Sequence, residues 1–283
     1  PAAFVRQFDV GLFANDDFRL RPNLTLSYGL RYETQTNISD FANLAPRLGL
    51  AWGIDGKNGR SARTVVRAGA GLFYDRIADS LTLQSVRFNG LTQQSYVIFN
   101  PSFYPSVPSA ATLAAGAQPQ NLYFVDGAIQ AARAFQASAG VERQINKYSR
   151  VSFNYITTRG THIQRERNIN APVLGVYPFG DTQVRTLAES TGFSRTNQFT
   201  ITPNVSYKNI FLFGFYALSY GKTDAEGQPA DPYNLRAEWG PSSYADIRHR
   251  FVMGTNIPLL LRFSISPFLI VHSGSPYNIT TGR

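Results

Sequence analysis

Three histidines and two groups of acidic residues are the side chains of this sequence best suited to catalysis or metal binding. The histidines are His162, His249 and His272, and they lie too far apart in the chain for the spacing typical of a metal site. The sequence contains no cysteine, which excludes disulfides, thiolate zinc ligands and thiol catalysis. We therefore expect neither a metal nor a cofactor.

The acidic groups are equally poor candidates for a catalytic site. Asp16 and Asp17 could suggest the paired carboxylates of a protease, but neighbouring residues of a strand point to opposite faces. The loop with Asp224, Glu226 and Asp231 could hold calcium, yet it lacks the ligand spacing of an EF-hand. His272-Ser273 could suggest a hydrolase, but no third group that would orient the histidine is evident. We expect a protein that is not an enzyme.

Composition favours a folded chain with little water-facing surface. Of the 283 residues, 43% are hydrophobic and only 16% are charged, against roughly 25% charged in soluble domains. The net charge of +9 comes from basic residues that are scattered along the chain. Nucleic-acid binding would require a basic patch or helix, so we exclude nucleic acid as a partner. No apolar run is long enough for a transmembrane helix.

The elements that must position these side chains are predicted to be strands, because apolar and polar residues alternate over most of the chain. The clearest segment covers residues 24–33, where five apolar side chains share one face and five small or polar residues share the other. Ten segments of this kind are predicted: 8–15, 24–33, 47–54, 66–75, 135–142, 151–155, 198–205, 210–222, 248–257 and 261–273. Segment 210–222 is apolar on both faces, and residues 109–117 predict a short loop helix.

The connections between these segments alternate between short and long. Short ones lie at 21–23, 55–62, 146–147, 208–209 and 258, and the second contains the hairpin signal Asn58-Gly59. Long ones cover 36–44, 77–132, 160–193 and 223–245. Outer-membrane barrels have short periplasmic turns and long external loops. The pattern predicts an all-β fold, an antiparallel transmembrane β-barrel segment of about ten long strands.

Aromatic residues near the ends of the segments would form the interfacial girdles of such a barrel. They are Tyr32, Trp52, Tyr74, Tyr207 and Tyr220. A soluble β-sandwich with an adhesin-like role would also give alternating strands, with the apolar faces turned inward. A self-contained ten-stranded barrel enzyme, either a protease or a lipase, is a further alternative.

The parity of the connections places both chain ends on the outer side, whereas outer-membrane barrels normally keep both termini in the periplasm. We therefore expect residues 1–283 to form one partial barrel domain, an open arc of a larger barrel. The signal peptide, any plug domain and the remaining strands would lie outside this chain.

Several motifs, in this order, resemble a known family. The sequence DDFR at 16–19 is followed by RPNLTLSYGLRYE at 21–33, then APRLG at 45–49 and VRAGAGLFYD at 66–75. RGTH at 159–162 with NIN at 168–170 is similar to a loop motif of the family. DIRHRFV at 246–252 and SGSPYN at 273–278 match late strands. Together they resemble TonB-dependent receptors, in particular Oar-like receptors with an N-terminal carboxypeptidase-regulatory-like domain.

This resemblance implies solute uptake across the cell outer membrane through a barrel of about 22 strands that encloses a plug domain. Its implied partners are the protein's own plug, TonB and an unknown solute. Arginine near lipid phosphates would add outer-membrane lipid and lipopolysaccharide as partners.

Four charged residues fall on predicted polar faces and are candidates for lumen-facing contacts with solute or plug. They are Arg31, Arg47, Arg67 and Glu142. The alternative is that they only solvate the lumen.

Overall fold

The computed structural model of the protein describes residues 3–56, 61–93, 98, 100–116, 120–259, 261 and 263–277. Its strands are β1 Asp9–Arg21, β2 Leu24–Gln35, β3 Asn43–Gly53, β4 Thr64–Asp75, β5 Leu122–Val125, β6 Ala132–Asn146, β7 Ser149–Asn168, β8 Arg185–Tyr207, β9 Ile210–Thr223, β10 Gly240–Pro241, β11 His249–Pro258, β12 Ser264–Ile265 and β13 Phe268–His272. The helices are α1 Asp79–Arg87, α2 Ala110–Gly116 and a 3-10 turn at Leu235–Glu238. Strands therefore dominate, as the alternation predicts.

The long strands form one sheet in which each strand pairs antiparallel with the next. The order is β1-β2-β3-β4-β6-β7-β8-β9-β11, and both β12 and β13 pair with β11. The predicted tenth strand is thus divided into two short pieces around Pro267. One short parallel pair, β5 with β8, departs from the antiparallel prediction. Within the described residues β1 pairs only with β2, so the sheet is open and the self-contained ten-stranded barrel is not formed.

The two faces of the sheet differ in chemistry from one edge to the other. Residues directly opposite in antiparallel strands point to the same side of a sheet. One row of such partners is apolar across eight strands: Trp52, Val66, Val141, Phe153, Ile201, Tyr216, Phe251 and Val271. The row beside it lies on the other face: Thr25, Ala51, Arg67, Gly140, Asn154, Thr200, Ala217, Arg250 and His272.

The apolar face is uncovered, which contradicts the β-sandwich alternative. Phe153 is 41% exposed and Phe251 is 38% exposed, although a sandwich would bury both against a second sheet. Tyr207 and Tyr220 are exposed near the two ends of their strands, as girdle residues should be. For β9, which sequence could not orient, the register puts Tyr216 on the apolar face and Phe215 on the polar face.

The short connections are confirmed at Pro22-Asn23, 147–148 and 208–209. Asn58-Gly59 lies outside the described residues. A long connection is present where 160–193 was predicted, but the predicted bounds are wrong, because most of that range is paired strand. β7 has 20 residues and β8 has 23, and only 169–184 separates them. The motif at 159–162 therefore lies in β7, where two register shifts occur between Thr161 and Arg165.

A small hydrophobic core forms at the end of the sheet opposite the short turns, which we call the outer end. The segment 76–131 packs on the sheet there. The buried members of this core are Ile38, Ile77, Leu81, Ile129, Ala131 and Ala188, with Tyr74 packed against them. Gln35 fixes this segment: its Nε2 donates to the Ile77 carbonyl over 3.1 Å and its Oε1 accepts the Ile77 N–H over 3.0 Å.

The predicted helix at 109–117 is found as α2, whereas α1 was not predicted. Within the described residues, no helix has the length and hydropathy needed to cross a bilayer.

Candidate functional site

The polar face carries the hollows in which a solute or another domain could lie. A cavity of about 440 Å³ is lined by alternate residues of β8, Thr196, Gln198 and Thr200, and by Ser219 and Arg250 of the strands beside it. A second hollow of about 370 Å³ lies between β6, β7 and β8. The first cavity combines these polar groups with apolar ones such as Phe215 and Ile247, whereas the second hollow is lined mainly by polar side chains.

Two of the four predicted site residues, Arg67 and Glu142, meet beside the second hollow, which Glu142 lines. The Arg67 guanidinium lies 3.9 Å from the Glu142 carboxylate, and Arg150 Nε lies 3.2 Å from the same group. β4 and β6 position Arg67 and Glu142, because Val65 is opposite Glu142 and Arg67 is opposite Gly140, and β7 positions Arg150 opposite Gln144. Exposed pairs of this kind add at most about 1 kcal/mol to stability. The trio therefore forms a charged surface and contributes little to the stability of the fold.

The other two predicted residues lie on β2 and β3. Arg31 forms an ion pair with Glu33, and its buried Nε has no hydrogen-bond partner within the described residues. The Arg47 guanidinium lies 4.5 Å from the centre of the Phe73 ring. It can lie flat on the wall because Gly71, opposite it, has no side chain; a Cβ there would come within 3.1 Å of Arg47 Cγ. The structure thus provides two separate charged positions instead of one convergent site.

A buried ionic cluster at the outer end of β7 to β9 was missed from sequence. Arg165 and Asp224 form an ion pair of 3.3 Å, with side chains only 3% and 0% exposed. Arg165 also donates to the carbonyls of Asp224 at 2.8 Å and Thr191 at 2.7 Å. Arg236 reaches the other oxygen of Asp224 at 2.8 Å from a 61% exposed position. This cluster clamps the loop 224–248 to the sheet.

The carboxylates of the acidic loop are engaged by groups within the protein. Asp224 is held by two arginines, and Glu226 accepts the Ser243 backbone N–H and its hydroxyl. Asp231 accepts the Tyr233 N–H at 2.8 Å. Across the described residues no three His, Asp or Glu side chains converge as a metal site would require. The signal that could have identified the cluster is weak, since Arg165 and Asp224 are distant in the chain.

The turn at 169–184 is organised by a second polar network. Asn170 is buried and donates to the carbonyls of Asp181 at 2.8 Å and Gln183 at 2.9 Å. Arg185 donates to both oxygens of Asp181, at 2.7 and 2.8 Å. These bonds, together with the Gln183 N–H, lower the pKa of Asp181 to about 2. The turn is therefore held by a carboxylate that stays ionised in mild acid.

The histidines do not form a catalytic arrangement. His249 Nδ1 lies 2.8 Å from the Tyr216 hydroxyl, on the apolar face. His272 Nδ1 lies 2.9 Å from the Ser273 carbonyl. The Ser273 hydroxyl accepts a hydrogen bond from the backbone N–H of His249. His162 has a φ of 57° at the register shift of β7.

Comparison with known proteins gives one family match and a set of structural matches. The family model described as "Outer membrane beta barrel domain" matches residues 1–43 and 38–283. No protein with a curated description matches the chain.

Three solved structures illustrate the structural similarity. The outer membrane transporter YddB from Escherichia coli is 13% identical with a TM-score of 0.60, covering 88% of this chain and 31% of its own. The FrpB iron transporter from Neisseria meningitidis (F3-3 variant) is 11% identical with a TM-score of 0.58, covering 92% and 32%. The alcaligin outer membrane receptor FauA from Bordetella pertussis is 12% identical with a TM-score of 0.51, covering 95% and 38%.

At this level of identity the likeness concerns the fold. The chain spans about a third of the length of these structures.

Proposed function

The chain belongs to the family of outer membrane beta-barrel domains and lies in the outer membrane, and from this premise we propose that it is part of the wall of a TonB-dependent receptor. In this proposal the intact protein takes up a large solute across the outer membrane. The polar face lines the lumen and the apolar face contacts lipid. No catalytic step is part of the proposal.

The observation that carries the proposal is the two-faced open sheet. A wall with an uncovered apolar face needs lipid on that side, and its open edge needs further strands. The polar face, with its hydroxyl-lined hollow of about 440 Å³, suits contact with water, a plug or a hydrophilic solute. Solved transporters and receptors of the outer membrane share this arc of sheet.

The finer features of the proposal concern partners and residues. The motifs at 16–33 and 246–252 support an Oar-like receptor, whose own plug domain and TonB would be its partners. We assign Arg67 and Glu142, with Arg150, to contact with plug or solute at the second hollow. Arg31 and Arg47 would serve the same role at the other end of the arc.

Uptake by the full-length protein tests this function. Host cells with and without TonB would receive labelled ferric siderophores, cobalamin, oligosaccharides and peptides. We expect one class to accumulate only when both the receptor and TonB are present. Arg67→Gln with Glu142→Gln should reduce that accumulation, whereas Arg143→Gln, beside Glu142 but on the opposite face, should not. A full-length protein found in the soluble fraction, or uptake that is independent of TonB, would contradict the proposal.

A further inference from the structure

Three cationic side chains lie side by side on the apolar face of the sheet, near its outer end. Arg159 of β7 is directly opposite Arg195 of β8, and Arg195 is directly opposite Lys222 of β9. All three are exposed. We call these residues the basic row.

The basic row has no counter-charge of its own. Like charges placed directly opposite each other destabilise a sheet. Within the described part of the chain, no ion pair joins any of the three to a carboxylate. The carboxylate two residues after Lys222, Asp224, lies just past the end of β9, is buried and is already held by Arg165 and Arg236. The row is therefore suited to an anion supplied from outside the chain.

The position of the row along the strands identifies the depth at which that anion lies. Tyr207 ends β8 at the short turn, and Asn197 lies ten residues before it. Ten residues at ~3.4 Å with a ~45° tilt correspond to about 24 Å across the membrane, close to the ~25 Å apolar band. Asn197 pairs with Tyr220 and accepts the Tyr155 hydroxyl at 2.8 Å, which marks the outer girdle.

Arg195 and Lys222 lie two residues beyond this girdle on their strands, on the same face. That step corresponds to about 5 Å across the membrane. The basic row thus lies at the level of lipid headgroups, while Phe199 and Leu218 lie on the same face further into the membrane.

We propose that Arg159, Arg195 and Lys222 bind the phosphate groups of a phosphorylated glycolipid of the outer leaflet. Guanidinium groups form paired, charge-assisted hydrogen bonds with phosphate, and lysine adds a point charge. The acyl chains of the same lipid would cover the apolar residues below. The proposal rests on the outer-membrane location of the chain and not on its role in uptake.

Lipid retention by the full-length protein tests the site. The protein is extracted from outer membranes, and lipid A that purifies with it is measured by mass spectrometry. Arg159→Gln, Arg195→Gln and Lys222→Gln together should reduce retained lipid A at least about tenfold, since each lost charge-assisted bond weakens binding. The matched control removes three cations from the polar face (Arg67→Gln, Arg150→Gln, Arg250→Gln) and should retain lipid A as the wild type does.

Binding of defined probes separates a lipid site from a site for free phosphate. Bisphosphorylated lipid A should bind the delipidated protein at least about tenfold more tightly than dephosphorylated lipid A, and the triple variant should lose this preference. Inorganic phosphate alone should neither bind measurably nor displace the lipid. Binding of phosphate alone, or equal lipid retention by variant and control, would overturn the proposal.

Charge reversal distinguishes a binding role from a structural one. Arg195→Glu places a carboxylate between two cations, so in lipid-free, non-ionic detergent its Tm should rise. The same variant should lose lipid A. A lower Tm in lipid-free detergent would show that Arg195 holds the fold and would overturn the proposal. Unchanged uptake in a variant that has lost lipid A would leave the proposed transport function intact.

Discussion

At the scale of single residues, Asp224 is the centre of the buried ionic cluster, and its charged carboxylate is shielded from water. Its two oxygens are shared between Arg165, which is buried, and Arg236, which is 61% exposed. Removing one partner of a buried pair leaves the other charge uncompensated and costs about 3–5 kcal/mol. Removing an exposed partner costs at most about 1 kcal/mol.

Asp224→Asn should therefore lower the free energy of unfolding by about 3–5 kcal/mol, because Arg165 stays buried without a counter-charge. Arg236→Gln, which removes only the exposed partner, should lower it by no more than about 1 kcal/mol. Urea unfolding of both variants in lipid vesicles measures the difference. Equal losses would show that burial does not distinguish the two arginines.

The Asp181–Arg185 pair makes the turn at 169–184 sensitive to strong acid only. The pKa of Asp181 is lowered from 3.8 to about 2 in the folded protein. A depressed pKa contributes stability that is complete above the unfolded value and is lost as the pH falls toward the folded value. The turn should thus stay ordered at pH 4 and loosen as the pH falls toward 2.

A fluorophore on Leu174→Cys reports this loosening, since Leu174 is fully exposed and the chain has no other cysteine. Its anisotropy should fall between about pH 4 and pH 2. In an Asp181→Asn background the anisotropy should be low at every pH, because the amide cannot pair with Arg185. A midpoint near pH 5 would assign the transition to another group.

At the scale of elements, the sequence could predict the strands within the membrane because one face of each is apolar and the other polar. β2 and β4 were found close to their predicted bounds for this reason. The outer half of β7 and β8 could not be predicted, because two register shifts between Thr161 and Arg165 interrupt the period of two. Arg67 and Glu142 could be placed on a polar face, but their meeting depends on the pairing of β4 with β6.

The basic row and the Arg165–Asp224 cluster escaped sequence analysis for a related reason. Each is made by residues from different strands or loops, and only the register shows that Arg159, Arg195 and Lys222 are neighbours. Periodicity reports the face of a residue, not its partner on the next strand.

The anchoring of the segment 76–131 by Gln35 gives a prediction at this scale. Gln35→Leu removes both hydrogen bonds to Ile77 and leaves the buried Ile77 N–H unpaired, at a cost of about 1–3 kcal/mol. The Ile77 carbonyl keeps the hydrogen bond from Gln7 Nε2 at 3.2 Å. Limited proteolysis should then cut the segment 88–120 faster by more than tenfold. Gln198→Leu, which alters an amide of the polar wall, should leave the cutting rate unchanged; a similar increase there would contradict the anchor.

At the scale of the whole molecule, the prediction is that lipid and water are separated by one thickness of sheet. Phe153 and Asn154 are neighbours in β7 but lie on opposite faces. Because the chain has no cysteine, each can be replaced singly by cysteine without background labelling. In vesicles, a water-soluble maleimide should label Asn154→Cys at least about tenfold faster than Phe153→Cys, since the latter lies in lipid. Equal rates would contradict the two-faced wall.

The unequal lengths of the strands have a consequence for how the molecule meets its surroundings. β8, with 23 residues, would rise about 55 Å across and above the membrane, whereas β3, with 11 residues, would rise only about 26 Å. The sheet therefore reaches much higher above the membrane at β8 than at β3. A large particle that approaches from outside therefore meets β7 and β8 first, whereas above β2 it meets the segment 76–131, which Gln35 holds at the end of that strand.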